Sequence, residues 1–165
     1  MARAEEIPGI ASDLSFREAA ARAVETRTEE LFAHSEGVLD AEDIERVHAM
    51  RVATRRLRAV LEIFAPCFPK NEHRRVLKAV KRLADALGER RDPDVAIESL
   101  TSIAEALPNE DRLGVSSLVN ELRTVQHAGN ERLALELGRV EEESLYGRLI
   151  ELAAAAHFPD EALIS

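Results

Sequence analysis

The second quarter of the chain carries a pattern of side chains suited to holding an extended polyanion. His48, Arg51, Arg55 and Arg58 recur at i, i+3, i+7 and i+10. At about 100° per residue they share one helical face, spread over about 80° and about 15 Å long. Arg56 points elsewhere. A second set, Lys70, Arg74, Lys78 and Lys81, forms another row, widened by Arg75 and Arg82 and placed opposite the apolar side of its helix. Ten cations and a histidine on two consecutive antiparallel helices repel one another unless something anionic neutralises them. Glu62, Glu72 and Asp85 are the only acids available within those helices after Arg46. Arginine dominates the first row, and its planar fork suits bidentate contact with phosphate. The plainer alternative is a solvated charged face whose partners are acids of flanking helices.

The net charge of −9 hides this distribution. Residues 1–45 sum to −8, residues 46–91 to +9 and residues 92–165 to −10. A basic block between two acidic flanks is the main functional signal. Other chemistries are poorly supported. Glu45 and His48 have the Glu-x-x-His spacing of di-iron bundles, but there is no second copy, so no metal and no cofactor is expected. There is no Walker-type loop and no Gly-x-Ser-x-Gly elbow. His34, His73, His127 and His157 are scattered singly, and Cys67 reads as a small apolar filler. Nucleic acid is disfavoured: aromatic stacking platforms are few, and the first basic helix lacks Asn, Gln or Ser to read base edges.

The elements that must carry these rows are helices. The 165 residues suit a single domain, 45% are hydrophobic and only 4% aromatic. A lead-in over residues 1–11 contains Pro8 and Gly9. Ser15 and Glu18 form a capping box for a helix to about His34, with Phe16, Ala20, Ala23, Val24, Leu31 and Phe32 inward and Gly37 ending it. A second helix, from about Asp40 to Ala65, turns Val47, Met50, Thr54, Leu57, Leu61 and Phe64 to the core, and Pro66 and Pro69 close it. The third is expected over Lys70–Leu87, with Val76, Val80, Leu83 and Leu87 inward and Gly88 as C-terminal cap. Asp92 and Pro93 read as N-cap and first residue of a fourth helix ending before Pro108. A longer helix spans about Glu110–Val140, with Leu118, Leu122, Val125, Leu133, Leu137 and Val140 on one side and Gly129 loosening it midway. A last helix starts near Ser144 and runs to about Ala156. The expectation is an all-α antiparallel bundle of five to six helices. One cysteine allows no internal disulfide, the longest uncharged apolar stretch is Leu152–Ala156, and Met1–Pro8 has no signal-peptide run. A cytoplasmic protein without a membrane span is expected.

The segment Val47-His48-Ala49-Met50-Arg51-Val52-Ala53-Thr54-Arg55-Arg56-Leu57-Arg58 closely resembles the signature helix of CHAD domains, the conserved-histidine α-helical domains. Leu83 to Val95, with Leu87-Gly88 leading into Arg91-Asp92-Pro93-Asp94-Val95, resembles the second marker of that family. The resemblance implies a helical domain that binds inorganic polyphosphate through a basic surface without catalysis of its own. It carries the role onto His48, Arg51, Arg55 and Arg58, and onto Lys78, Lys81 and Arg82 ahead of the Leu-Gly pair; Arg74 joins by its place in the row. Arg91 and Asp92 are expected to be structural, Arg91 pairing locally and Asp92 capping. Residues 96–165 have no second basic helix of the His-x-x-Arg type, so residues 12–165 resemble the first helical half of a CHAD domain. A homodimer, or a separate chain supplying the complementary half, would rebuild the whole. The Glu-x-Glu-x-Lys strand of the triphosphate-hydrolysing domains often joined to CHAD is absent, so no such activity is implied. The resemblance allows a place on polyphosphate granules. A helical module docking an acidic protein partner is the alternative reading.

Overall fold

The computed structural model describes residues 3–7 and 15–157. It contains five α-helices: α1 (Phe16–Ala33), α2 (Ile44–Ile63), α3 (Lys70–Glu105), α4 (Asn109–Glu142) and α5 (Leu145–His157), with a 3-10 turn at Ala65–Cys67. Among the described residues there is no strand. The all-α antiparallel bundle is as expected. Residues 3–7 have no regular structure, though Arg27 Nη1 donates to the Glu5 carbonyl at 3.0 Å. The rest of the expected lead-in, residues 1–2 and 8–11, lies outside the described residues.

α1 opens as its sequence predicts. The Ser15 hydroxyl accepts from the Glu18 amide at 3.2 Å, and Glu18 returns a bond to the Ser15 amide at 3.4 Å. Two amides that no helical carbonyl could serve are thereby satisfied. Phe16, expected inward, is 56% exposed and instead rests on Phe64, with ring centroids 4.9 Å apart. The helix ends at Ala33, and Gly37 follows in the turn at φ +72°. A side chain there would be both strained and driven into Arg46, whose Nη1 lies 2.8 Å from the position of a Cβ.

The α2 seam is buried as expected at Val47, Met50, Thr54, Leu57 and Leu61, with Phe64 partly buried. Thr54 turns its hydroxyl back to the Met50 carbonyl at 2.8 Å, which lets a polar side chain sit in the core. Val76, Val80, Leu83 and Leu87 of α3 face the same core, and Leu145, Leu149, Leu152, Ala153 and Ala156 of α5 complete it against α1. Glu30 of α1 is buried but bridges Arg27 at 2.7 Å and Arg56 of α2 at 2.5 Å, so its charge has two partners.

The expected break at residues 88–93 does not occur. α3 runs unbroken through Gly88 and Asp92, with Pro93 inside it. Neither Gly88 nor Asp92 is a cap, and the two expected helices are one. What overrides the local signal is tertiary. Arg90 is wholly buried, pairs with Asp94 one turn on, and donates through Nε to Asn130 Oδ1 of α4 at 3.2 Å. Gln126 of α4 donates to the same Asp94 carboxylate at 2.6 Å, and Asn130 reaches the Leu39 carbonyl at 2.9 Å. These bonds bind both sides of Pro93 to α4. Pro93 cannot donate to the Glu89 carbonyl, and Gly129 lies against that carbonyl, its Cβ position only 3.2 Å from the oxygen. Gly129 therefore does not loosen α4; it lets the two helices approach at the proline.

Beyond this crossing, the rest of α3 and the start of α4 project as a two-helix arm. From Val95 to Val125 no residue is buried. Eleven residues past Asp94, α3 extends the arm by about 16 Å. Leu118 and Val125, expected inward, are 45% and 54% exposed, because the helix they lie on has left the bundle. Leu133 and Val140, farther along α4, are buried.

Replacing Gly129 with Ala should destabilise the fold. Overpacking against backbone costs about 1–3 kcal/mol and outweighs the roughly 0.5–1 kcal/mol that alanine contributes in a helix. A urea melt should show a lower midpoint with an unchanged slope.

Candidate polyanion-binding surface

The core seam of α2 fixes where its cations point. With Val47, Met50, Leu57 and Leu61 inward, Arg51 and Arg55 are exposed and His48 and Arg58 lie partly exposed beside them. Arg56, on the other flank, is taken by Glu30 of α1. On α3, Lys70, Arg74, Arg75 and Lys78 are exposed and Lys81 is half-buried. α2 and α3 pack side by side, and one bond sets their register: the His73 ring, through Nε2, bonds with the Leu61 carbonyl at 2.7 Å. At about 1.5 Å per residue in antiparallel directions, Arg58 is level with about residue 76, Arg55 with 79, Arg51 with 83 and His48 with 86. The α3 cations at 74, 78 and 81 thus alternate in height with the α2 cations along the same pair of helices.

The eight side chains are not equally available. Among the described residues, Arg51, Arg55, Arg74, Lys78 and Lys81 make no ion pair. Arg58 is held by Glu62 at 3.1 Å, both side chains being more than 40% exposed. Arg82 does not stand opposite the apolar face; it reaches sideways to α4, to Glu143 at 3.0 Å and Glu136 at 3.4 Å. It joins α3 to α4 and adds less free charge than its neighbours. Three acids near the face are held by cations outside the free set: Asp43 by Arg46 at 2.9 Å, Glu72 by Arg75 at 3.6 Å, and Glu89 by Arg132. Among the described residues no acid of either flank pairs with Arg51, Arg55, Arg74, Lys78 or Lys81.

The second marker is arranged differently from the sequence expectation. Arg91 makes no local ion pair, and Asp92 is exposed in mid-helix. The structural pair is Arg90 with Asp94, which the neighbouring Arg91-Asp92 obscured. The signal that could have found it is the i,i+4 spacing of opposite charges across Pro93.

Reactive groups are sparse around the rows. Burial pushes the Cys67 thiol up from its usual range, with Arg17 opposing, so the thiol stays protonated and inert. The hydrogen bond to Glu29 raises the Tyr146 phenol. Among the described residues no three His, Cys, Asp or Glu side chains gather as a metal would require, and no helix is long and apolar enough to cross a membrane. An apolar cleft of about 590 Å³, lined by Phe32, Met50, Leu137 and Tyr146, takes none of the row residues. The hollow and the charge are separate features.

A basic helix with this histidine-led spacing, packed on a second basic helix, is matched by one family model: the CHAD domain, over residues 22–163. The chain belongs to the CHAD family. No curated protein and no solved structure matches it. The match spans nearly all of the described helices, from within α1 to the end of α5. CHAD domains are associated with polyphosphate binding.

The Arg58–Glu62 pair makes a specific prediction for this CHAD domain. An exposed pair of this kind is worth about 0.2–1 kcal/mol, so Glu62→Gln should free Arg58 for an anion and, if the face takes polyphosphate, tighten that binding by up to about fivefold, read by titration calorimetry.

Proposed function

We propose that this CHAD domain binds inorganic polyphosphate along the α2–α3 face, as a targeting or scaffold module without catalysis of its own. The observation that carries the reading is the set of cations, Arg51, Arg55, Arg74 and Lys78 exposed and Lys81 half-buried, that pair with no acid among the described residues. A linear polyanion gains by releasing its counterions to such rows, whatever else it is attached to. The rows ride on packed helices, so the charges are in place before the ligand arrives and less ordering remains on binding. His48 and Arg58 extend the α2 row at its two ends, and Arg82 steadies α3 beside it. The acidic surface elsewhere keeps nucleic acid from sticking to the rest of the molecule. Such a module would hold its protein on cytoplasmic polyphosphate, including granules.

The arm supports a second element of this reading. Among the described residues nothing covers its exposed Ile103, Leu118 and Val125, which a second chain would take out of water, and a two-helix hairpin is half of a four-helix bundle. Residues 12–165 then act as one helical half, completed by a second copy; a complementary half on a separate chain is the other possible partner. The module that docks an acidic protein instead would show weak polyphosphate binding with little dependence on chain length.

Two measurements test these statements. The triple variant Arg51→Ala, Arg55→Ala, Arg58→Ala should lose at least about 100-fold in polyphosphate affinity with an unchanged helical circular-dichroism spectrum; retained affinity would refute the site. Light scattering at micromolar concentration should give the mass of a dimer, and Leu118→Glu should convert it to a monomer. A monomeric parent protein would sink the homodimer.

A further inference from the structure

Gly88 stands where nothing inside the molecule asks for glycine. It lies within the unbroken α3, it is not among the positive-φ glycines, and a Cβ added to it would meet nothing within 4 Å. Glycine is among the least favourable residues in a helix interior, so both conformation and packing would be served better by alanine. Its position is specific. Arg74, Lys81 and Gly88 are spaced by seven, which places them in one line along α3 with a drift of about 20° per step. The glycine is thus a bare stretch of backbone in the line of the cations, at about the height of His48 on α2.

One turn farther, Arg91 is half-buried, and its Nη1 is enclosed without any acceptor. Asp43, the acid at that height just ahead of α2, is already held by Arg46. A guanidinium with an unserved buried donor is poorly placed where it is, and it gains by turning outward to an anion at the same end of the rows.

Resting on the polyphosphate reading above, we infer that Gly88 is a clearance in the binding track and Arg91 its terminal anchor. The polyanion runs from Arg74 past Lys81, lies close on the helix at Gly88 beside His48, and ends on the Arg91 guanidinium. The absence of a side chain at residue 88 lets phosphate oxygens come near the helix surface, which any Cβ would push outward. Arg91 adds a charge-assisted contact beyond the last cation of the α3 row.

The test compares the full chain with Gly88→Ala, Gly88→Leu, Arg91→Gln and Arg91→Lys, measuring affinity for long-chain inorganic polyphosphate over a salt series together with thermal melting. Gly88→Ala should melt a few degrees higher, at about the gain expected for glycine replaced in a helix, yet bind several-fold more weakly, and Gly88→Leu more weakly still. Arg91→Gln should lose about tenfold in affinity and flatten the salt slope by about one phosphate contact, with Arg91→Lys recovering part of both. Unchanged binding in Gly88→Ala and Arg91→Gln, beside a parent that binds, overturns this inference alone. A folded parent that binds no polyphosphate overturns the functional reading and this inference with it.

Discussion

The buried contact between Arg90, Asp94, Gln126 and Asn130 decides more of this structure than its size suggests. A proline about two-thirds of the way along α3 would ordinarily end or kink the helix. Here a charge pair spans it on the α3 side, and two amides of α4 hold that pair in place. Breaking such a pair by removing one partner leaves an uncompensated charge in the core. Because the crossing holds, α3 stays a single rod of 36 residues. One end of that rod presents cations beside α2, and the other end leaves the bundle as an arm.

The rod also explains how a chain of net charge −9 keeps a basic face. Some of its acids are held in local pairs with Arg46, Arg75 and Arg139, and others in interhelical pairs with Arg56, Arg82 and Arg132. Each of these pairs uses a cation outside the main rows or on their flanks. The middle of the face is left with charge of one sign, and the helices beneath it are held by an apolar core that does not depend on that charge. Repulsion among the rows is tolerated because the side chains are solvated and long, and it is relieved when an anion is present.

Much of the fold was legible in the residues. The Ser15–Glu18 box, the three-and-four spacing of Val47 to Leu61 and the prolines at 66 and 69 each act through neighbours one turn away, and each did in the structure what its type implies. The two cationic rows were legible for the same reason, since a helix converts spacing into direction. Three readings failed where a distant helix intervened. Gly88 and Asp92-Pro93 carry stop and start signals that α4 overrides, Gly129 is a contact point and not a weak one, and Leu118 and Val125 follow an inward pattern on a segment with no interior to face.

The division follows from the range of the forces. Backbone geometry, capping and helical periodicity act within a few residues, so the sequence by itself determined that the chain is helical, where most helices begin, and which faces are basic or apolar. Which acid reaches which cation depends on how helices far apart in the chain are brought together. Only the tertiary structure decided that Arg82 is engaged across helices while Arg51, Arg55, Arg74, Lys78 and Lys81 stay free, and that Arg90, not Arg91, is the one buried against α4. A pattern in one helix cannot state what its neighbour will offer.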